Sequence, residues 1–143
     1  VRAATTFGEK RFAMKQRLVL AVGFLLAVTL AWAQAPAGAP NYDVAKEVTI
    51  KGVVQEVKDF QCPVSGGMGA HLVVKTDKGL VTVHLALSKF LSEYGFAFAK
   101  GDEIEIVGVK AKVGDDENGI LARKIERGNQ TFTFRDKAGK PLW

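Results

Sequence analysis

Sulfur and imidazole are scarce in this chain, which has one cysteine, two methionines and two histidines in 143 residues. Four of those five, Cys62, Met68, His71 and His84, fall within 23 residues of one another. Thiolate, thioether and imidazole are the side chains that suit copper, and thiolate with imidazole also suits zinc. The stretch CPVSGGMGAH, Cys62 to His71, holds three of the four. Its glycines Gly66, Gly67 and Gly69 let the segment fold back on itself, so Met68 and Cys62 can approach the same point as His71. No H-x-x-x-H, C-x-x-C or C-x-x-C-H spacing occurs, so linear spacing alone does not specify a site. The competing reading is structural: two solvated histidines on a strand, Met68 capping a hydrophobic edge, and Cys62 buried beside Phe60.

Other chemistry is poorly supported. Cys62 with His71 or His84 would make a nucleophile and base, but nothing marks an oxyanion hole or a third, orienting group. We therefore expect no catalytic activity. The acidic turn Asp115-Asp116-Glu117-Asn118 lacks the ligand spacing of a calcium-binding EF-hand loop.

The elements that must position these residues are mostly strands. VTIKGVVQEV sets Val48 and Ile50 on one face, breaks at Gly52, and resumes with Val53 and Val57 at a shifted phase. A glycine at a phase switch marks a bulge or a barrel bend. HLVVKT and LVTVHLAL form the next two strands, joined through Asp77-Lys78-Gly79. SKFLSEYG reads as a two-turn helix with Ser88 as N-cap, Phe90, Leu91 and Tyr94 on one side, and Gly95 as terminator. DEIEIVGVKAKV is a fourth strand with a second glycine phase switch, at Gly108. GDDENG, Gly114 to Gly119, is a turn. GILARKIER is a fifth strand and QTFTFR a short sixth, and Trp143 closes onto the barrel. Three strands, a helix, then two strands is the chain order of an OB-fold, a small Greek-key barrel whose helix plugs one end. The expected fold is all-β with one short helix, an OB-fold-like barrel of five to six strands.

The hairpin of strands two and three decides whether the histidines meet. If Leu72 and Val74 face the core with Val81, Val83 and Leu85, then His71 and His84 share the opposite, outer face. A two-residue loop Asp77-Lys78 sets His71 directly across from His84, with Cβ atoms about 5 Å apart. A four-residue loop makes them diagonal neighbours. A three-residue loop with Gly79 left-handed suits turn chemistry best but would split the apolar set between faces. The hydrophobic pattern overrides it, because a slipped register exposes that set.

Charge argues against nucleic acid. Residues 1–33 carry five Lys/Arg and one Asp/Glu, whereas residues 34–143 carry fifteen and fourteen. The basicity thus sits in the leader, and the domain lacks a basic face with interleaved aromatics. The leader reads as a signal peptide over residues 14–33. Met14-Lys15-Gln16-Arg17 is its positive start, Leu18 to Leu30 its apolar stretch, and Ala31-Trp32-Ala33 its cleavage site. Residues 1–13 read as an upstream extension from a mis-assigned start. Sixteen residues, Leu18 to Ala33, fall short of the roughly 20 a membrane span needs. No transmembrane span is expected after cleavage, and the location is periplasmic or secreted. QAPAGAPN opens a flexible tether over residues 34–45, and the barrel domain occupies 46–143. The lone cysteine of an exported chain forms no internal disulfide.

IKGVVQEV, HLVVKTDKG, VTVHLALSKFL, KGDEIEIVGVK and ILARKIERG with RDKAGKPLW resemble a group of small exported bacterial OB-fold-like proteins without assigned activity. The resemblance spans roughly residues 46–143 and implies export and a barrel, not a reaction. The expected function is an exported, non-catalytic binding module holding copper or haem on the outer face of strands two and three. His71 and His84 would be the principal ligands, with Met68 and Cys62 added. The partner would be an envelope protein. Two alternatives stand beside it. One is a structural or protein-docking barrel with no small ligand. The other is a binder of oligosaccharide or single-stranded nucleic acid in the OB cleft.

Overall fold

The computed structural model describes residues 41–143. The upstream extension and the signal peptide expected over residues 1–33 lie outside the described residues, as does the tether up to residue 40. Residues 41–45 of the expected tether are described, and they fold. Asp43 accepts the Ala45 N–H to cap a 3₁₀ turn over Val44–Lys46, and the Tyr42 hydroxyl donates to Glu47 at 2.7 Å.

Six strands follow: β1 Val48–Cys62, β2 Gly67–Thr76, β3 Gly79–Leu87, β4 Glu103–Val113, β5 Asp116–Arg127 and β6 Gln130–Thr133, with one helix, α1 Ser88–Tyr94, between β3 and β4. Their order across the sheet is β3-β2-β1-β4-β5-β6, and β3 also pairs with β5. That last pairing is parallel and closes the sheet into a ring. The others are antiparallel. Closure is made by two residue pairs, Val83 with Ile120 and His84 with Leu121. The connectivity is the one expected from the chain order. Among the described residues, no helix is long and apolar enough to cross a membrane.

The core is built by alternation. Val54, Leu72, Val74, Val83, Leu85 and Ile106 are fully buried in one cluster, and α1 adds Phe90 and Leu91. Gly95 ends the helix in the left-handed region, at φ 65°, where its missing Cβ costs nothing. One helix expectation is corrected. Leu87 occupies the N-cap without a side-chain cap, because the Ser88 hydroxyl donates to Asp59 instead. Tyr94 shares the side of Phe90 as expected, its ring against Phe90 and Phe96, and is 63% exposed. The acidic turn is also shorter than expected. Only Gly114 and Asp115 turn, and β5 begins at Asp116, whose carboxylate accepts N–H groups from Thr82 and Asn118.

Both glycine phase switches mark places where the backbone changes course. β1 pairs with β4 up to Val53 and with β2 from Val53 onward, so Gly52 sits at the handover. A Cβ there would lie 2.5 Å from Val74 Cγ1 and 2.6 Å from the Lys75 carbonyl. Gly108 adjoins a bulge against β5, and a Cβ on it would overlap the Leu121 carbonyl. Backbone cannot yield as a flexible side chain can. Gly108→Val should therefore destabilise the barrel by about 2–4 kcal/mol, read as a lower midpoint in urea unfolding, whereas Gly128→Ala in the β5–β6 turn should cost less.

Candidate metal centre

Three residues reach the centre from three strands. Cys62 ends β1, His71 lies in β2 and His84 in β3. The hairpin loop is the two-residue one, with Thr76 paired to Gly79, and it sets His71 directly opposite His84. Leu72 then faces Val83 and Val74 faces Val81, so the apolar set keeps one face and the imidazoles share the other. The Thr76 hydroxyl supports the turn by accepting the Lys78 N–H and donating to the Gly79 carbonyl.

The outer face was expected to meet solvent, and here the structure differs. His71 and His84 are both 0% exposed and Cys62 is 4% exposed. Phe60 stacks on His71 with ring centroids 3.6 Å apart and planes within 10°. Trp143 lies over His84 at 5.7 Å. Leu121, in register beside His84, belongs to a second apolar cluster with Val109, Val113 and Phe60. The barrel thus has a second dry layer on the outside of the hairpin, and the histidines lie within it.

The loop after β1 is folded to bring Cys62 in. The Cys62 carbonyl accepts the Gly66 N–H at 3.1 Å and the Ser65 hydroxyl. Gly69 then passes so close that a Cβ on it would lie 2.9 Å from His71 Cε1 and 2.7 Å from Ser65 Oγ. Its carbonyl meets His71 Nδ1 at 2.9 Å. A carbonyl only accepts, so Nδ1 carries the proton and Nε2 keeps its lone pair. A backbone carbonyl that sets the tautomer in this way is the usual support of a metal-ligating histidine.

The remaining nitrogens are unpaired. His71 Nε2 and both ring nitrogens of His84 are buried with no hydrogen-bond partner among the described residues. Each such group costs about 1–3 kcal/mol relative to a satisfied one. A thiol sulfur and one nitrogen from each ring lie within 4.8 Å of one another. Bond lengths of about 2.0–2.1 Å to imidazole and about 2.3 Å to thiolate place donors to one ion roughly 3.3–3.8 Å apart. The trio therefore needs about 1 Å of closure to share an ion. Met68 does not join it: as the neighbour of Gly69 it points to the other face and is 45% exposed.

Sequence reasoning missed how the centre is covered. After β6 a turn led by Asp136 returns the chain, with Asp136 N–H donating to the Lys140 carbonyl and Leu142 N–H to that of Phe134. Trp143 is thereby laid on His84. The Arg135 guanidinium, 4% exposed, packs between the rings of Trp143 and Tyr42, 4.9 and 5.0 Å from their centroids. Trp143 was legible as a residue that closes the chain onto the barrel, but no local pattern marked Arg135 or Tyr42.

A family model, that of the MamS/MamX magnetosome protein family, matches residues 46–132. The chain belongs to this family. The match spans Cys62, His71 and His84 and stops before the covering segment Arg135–Trp143. The match bears out membership of a small bacterial protein family, while the barrel character rests on strand connectivity instead. No curated protein matches the chain.

Electrostatics keep both rings neutral. Burial pushes His71 down to about 4, against the opposing pull of the Gly69 carbonyl and Asp59. Burial, then the nearby His71 and Arg135, push His84 down to about 3. Between pH 6.5 and about 4 the unfolded chain therefore binds protons that the folded barrel refuses, so stability rises with pH across that window and is fully present above it. The metal-free protein should lose about 1.4 kcal/mol per pH unit for each histidine as pH falls below 6.5. Urea unfolding at pH 7.5, 5.5 and 4.5 measures the slope, and His84→Leu should halve it.

Proposed function

We propose that this chain is an exported, non-catalytic barrel module that binds a single copper ion through Cys62, His71 and His84. The observation that carries the reading is the set of three buried, unpartnered imidazole nitrogens beside a buried thiol. A barrel selected for stability alone would fill this layer with apolar side chains, which cost less than orphaned polar ones. The donor set is soft and suits copper. A single ion is favoured over haem. The macrocycle would have to enter where Phe60 stacks on His71 and Trp143 covers His84. Export rests on the leader at residues 14–33 alone, and the family's printed name points to the magnetosome as the setting in which the binding is used.

One groove elsewhere on the barrel, lined by Lys51, Lys75, Asp77, Glu103, Glu105 and Glu126 among others, mixes both signs of charge and holds no aromatic ring on which a base or sugar would stack. Lys51 is moreover paired to Glu105 at 3.3 Å.

Metal analysis and anaerobic copper titration of the purified protein test the proposal. The expected result is one copper per chain, lost in Cys62→Ser and in His71→Ala/His84→Ala. His84→Leu guards against a trivial loss of fold. It removes two orphaned nitrogens, so the metal-free variant should unfold at the same temperature as the parent or higher while binding no copper. At a free copper concentration 100 times Kd, the parent should gain about 2.7 kcal/mol of stability. Copper retained by the double histidine variant, or none bound by the folded parent, would overturn the proposal and leave a structural barrel.

A further inference from the structure

Resting on the copper reading, we infer that the centre selects the monovalent ion, holding Cu(I) in preference to divalent metals. Three features of the layer lead there. The first is the number of ligands. The structure brings together three donors, and Met68, the other soft side chain nearby, faces away and is 45% exposed. Zinc closes its structural sites with four ligands and keeps a water in its open ones. Cu(I) is satisfied by three soft donors. The second is dryness. Both imidazoles are 0% exposed, with Phe60 and Trp143 on their flanks, so a water to complete a divalent shell has no open approach.

The third is charge. When the ion binds, the Cys62 thiol proton leaves to solvent and the Cu–S bond forms, while both imidazoles stay neutral. Cu(I) with one thiolate leaves the centre with no net charge, whereas Cu(II) or Zn(II) leaves one positive charge in a desolvated layer. Such a charge is costly unless paired. The nearest buried charge is of the same sign. Arg135 packs on the Trp143 ring, which also meets His84, and among the described residues no carboxylate forms an ion pair with it. Two carboxylates stand farther out. Asp59 is exposed and accepts from Ser88, and Glu47 is engaged by Arg123 and Tyr42. Asp59 keeps its charge but lies in solvent, where it is screened, and Arg123 already balances Glu47, so neither is a buried counter-charge for a divalent centre.

The test compares Cu(I), buffered anaerobically with bicinchoninate, against Zn(II) as a divalent probe that does not oxidise the thiol. Both are titrated into the full protein and into Arg135→Gln. The parent should bind Cu(I) at least a thousandfold more tightly than Zn(II). Arg135→Gln should narrow that gap about tenfold, because it relieves only the charged complex. A purely structural role for Arg135 would weaken both metals alike, and equal weakening overturns the charge argument, as does Zn(II) bound as tightly as Cu(I). Should Arg135→Gln not fold, X-ray absorption on the parent's Cu(I) complex still decides. Two nitrogens and one sulfur support the inference, and a fourth ligand overturns it. Copper binding without this selectivity sinks the inference and leaves the copper reading standing, whereas binding of neither metal sinks both.

Discussion

One cross-strand register, His71 opposite His84, is the constraint on which the candidate centre depends. It is held by the pairing of apolar side chains on the other face, Leu72 with Val83 and Val74 with Val81. A slip by one residue would send those side chains out and the imidazoles into the core. The stability of the main core and the geometry of the centre are therefore secured by the same hydrogen-bond ladder. The centre inherits the rigidity of the barrel without needing its own framework.

Burying that face carries a cost. Phe60, Leu121 and Trp143 exclude water from two imidazoles that have one hydrogen bond between them, from His71 Nδ1 to Gly69. Unpartnered nitrogens in a dry layer weaken a fold unless something else occupies their lone pairs. The same dryness lowers the proton affinity of both rings, which keeps their lone pairs free at neutral pH. What is a defect in the metal-free fold is thus the property a soft-metal ligand requires.

The cover is assembled from distant parts of the chain. Tyr42 precedes β1, Arg135 follows β6, and Trp143 returns along a turn stabilised by Asp136. Of these, Trp143 meets His84, its ring tilted at 53°. The family match covers the barrel and its three candidate ligands but not this segment.

Much of the barrel was legible because its signals are local. Alternation marked the strands, glycine phase breaks marked Gly52 and Gly108, and the apolar set of one hairpin excluded the three-residue loop, while the choice between two and four residues came from the structure. The helix boundary was misread at Ser88, since a hydroxyl that caps in one context donates to Asp59 in another. The clustering of Cys62, His71 and His84 was visible as composition. By itself, then, the sequence determined which residues could meet and which face of the hairpin they would share, because a period of two is written into consecutive side chains. Only the tertiary structure decided that this face is dry, that Met68 turns away from it, and that Arg135 and Trp143 close over it. Burial depends on residues far apart in the chain, and no local period records which of them will arrive.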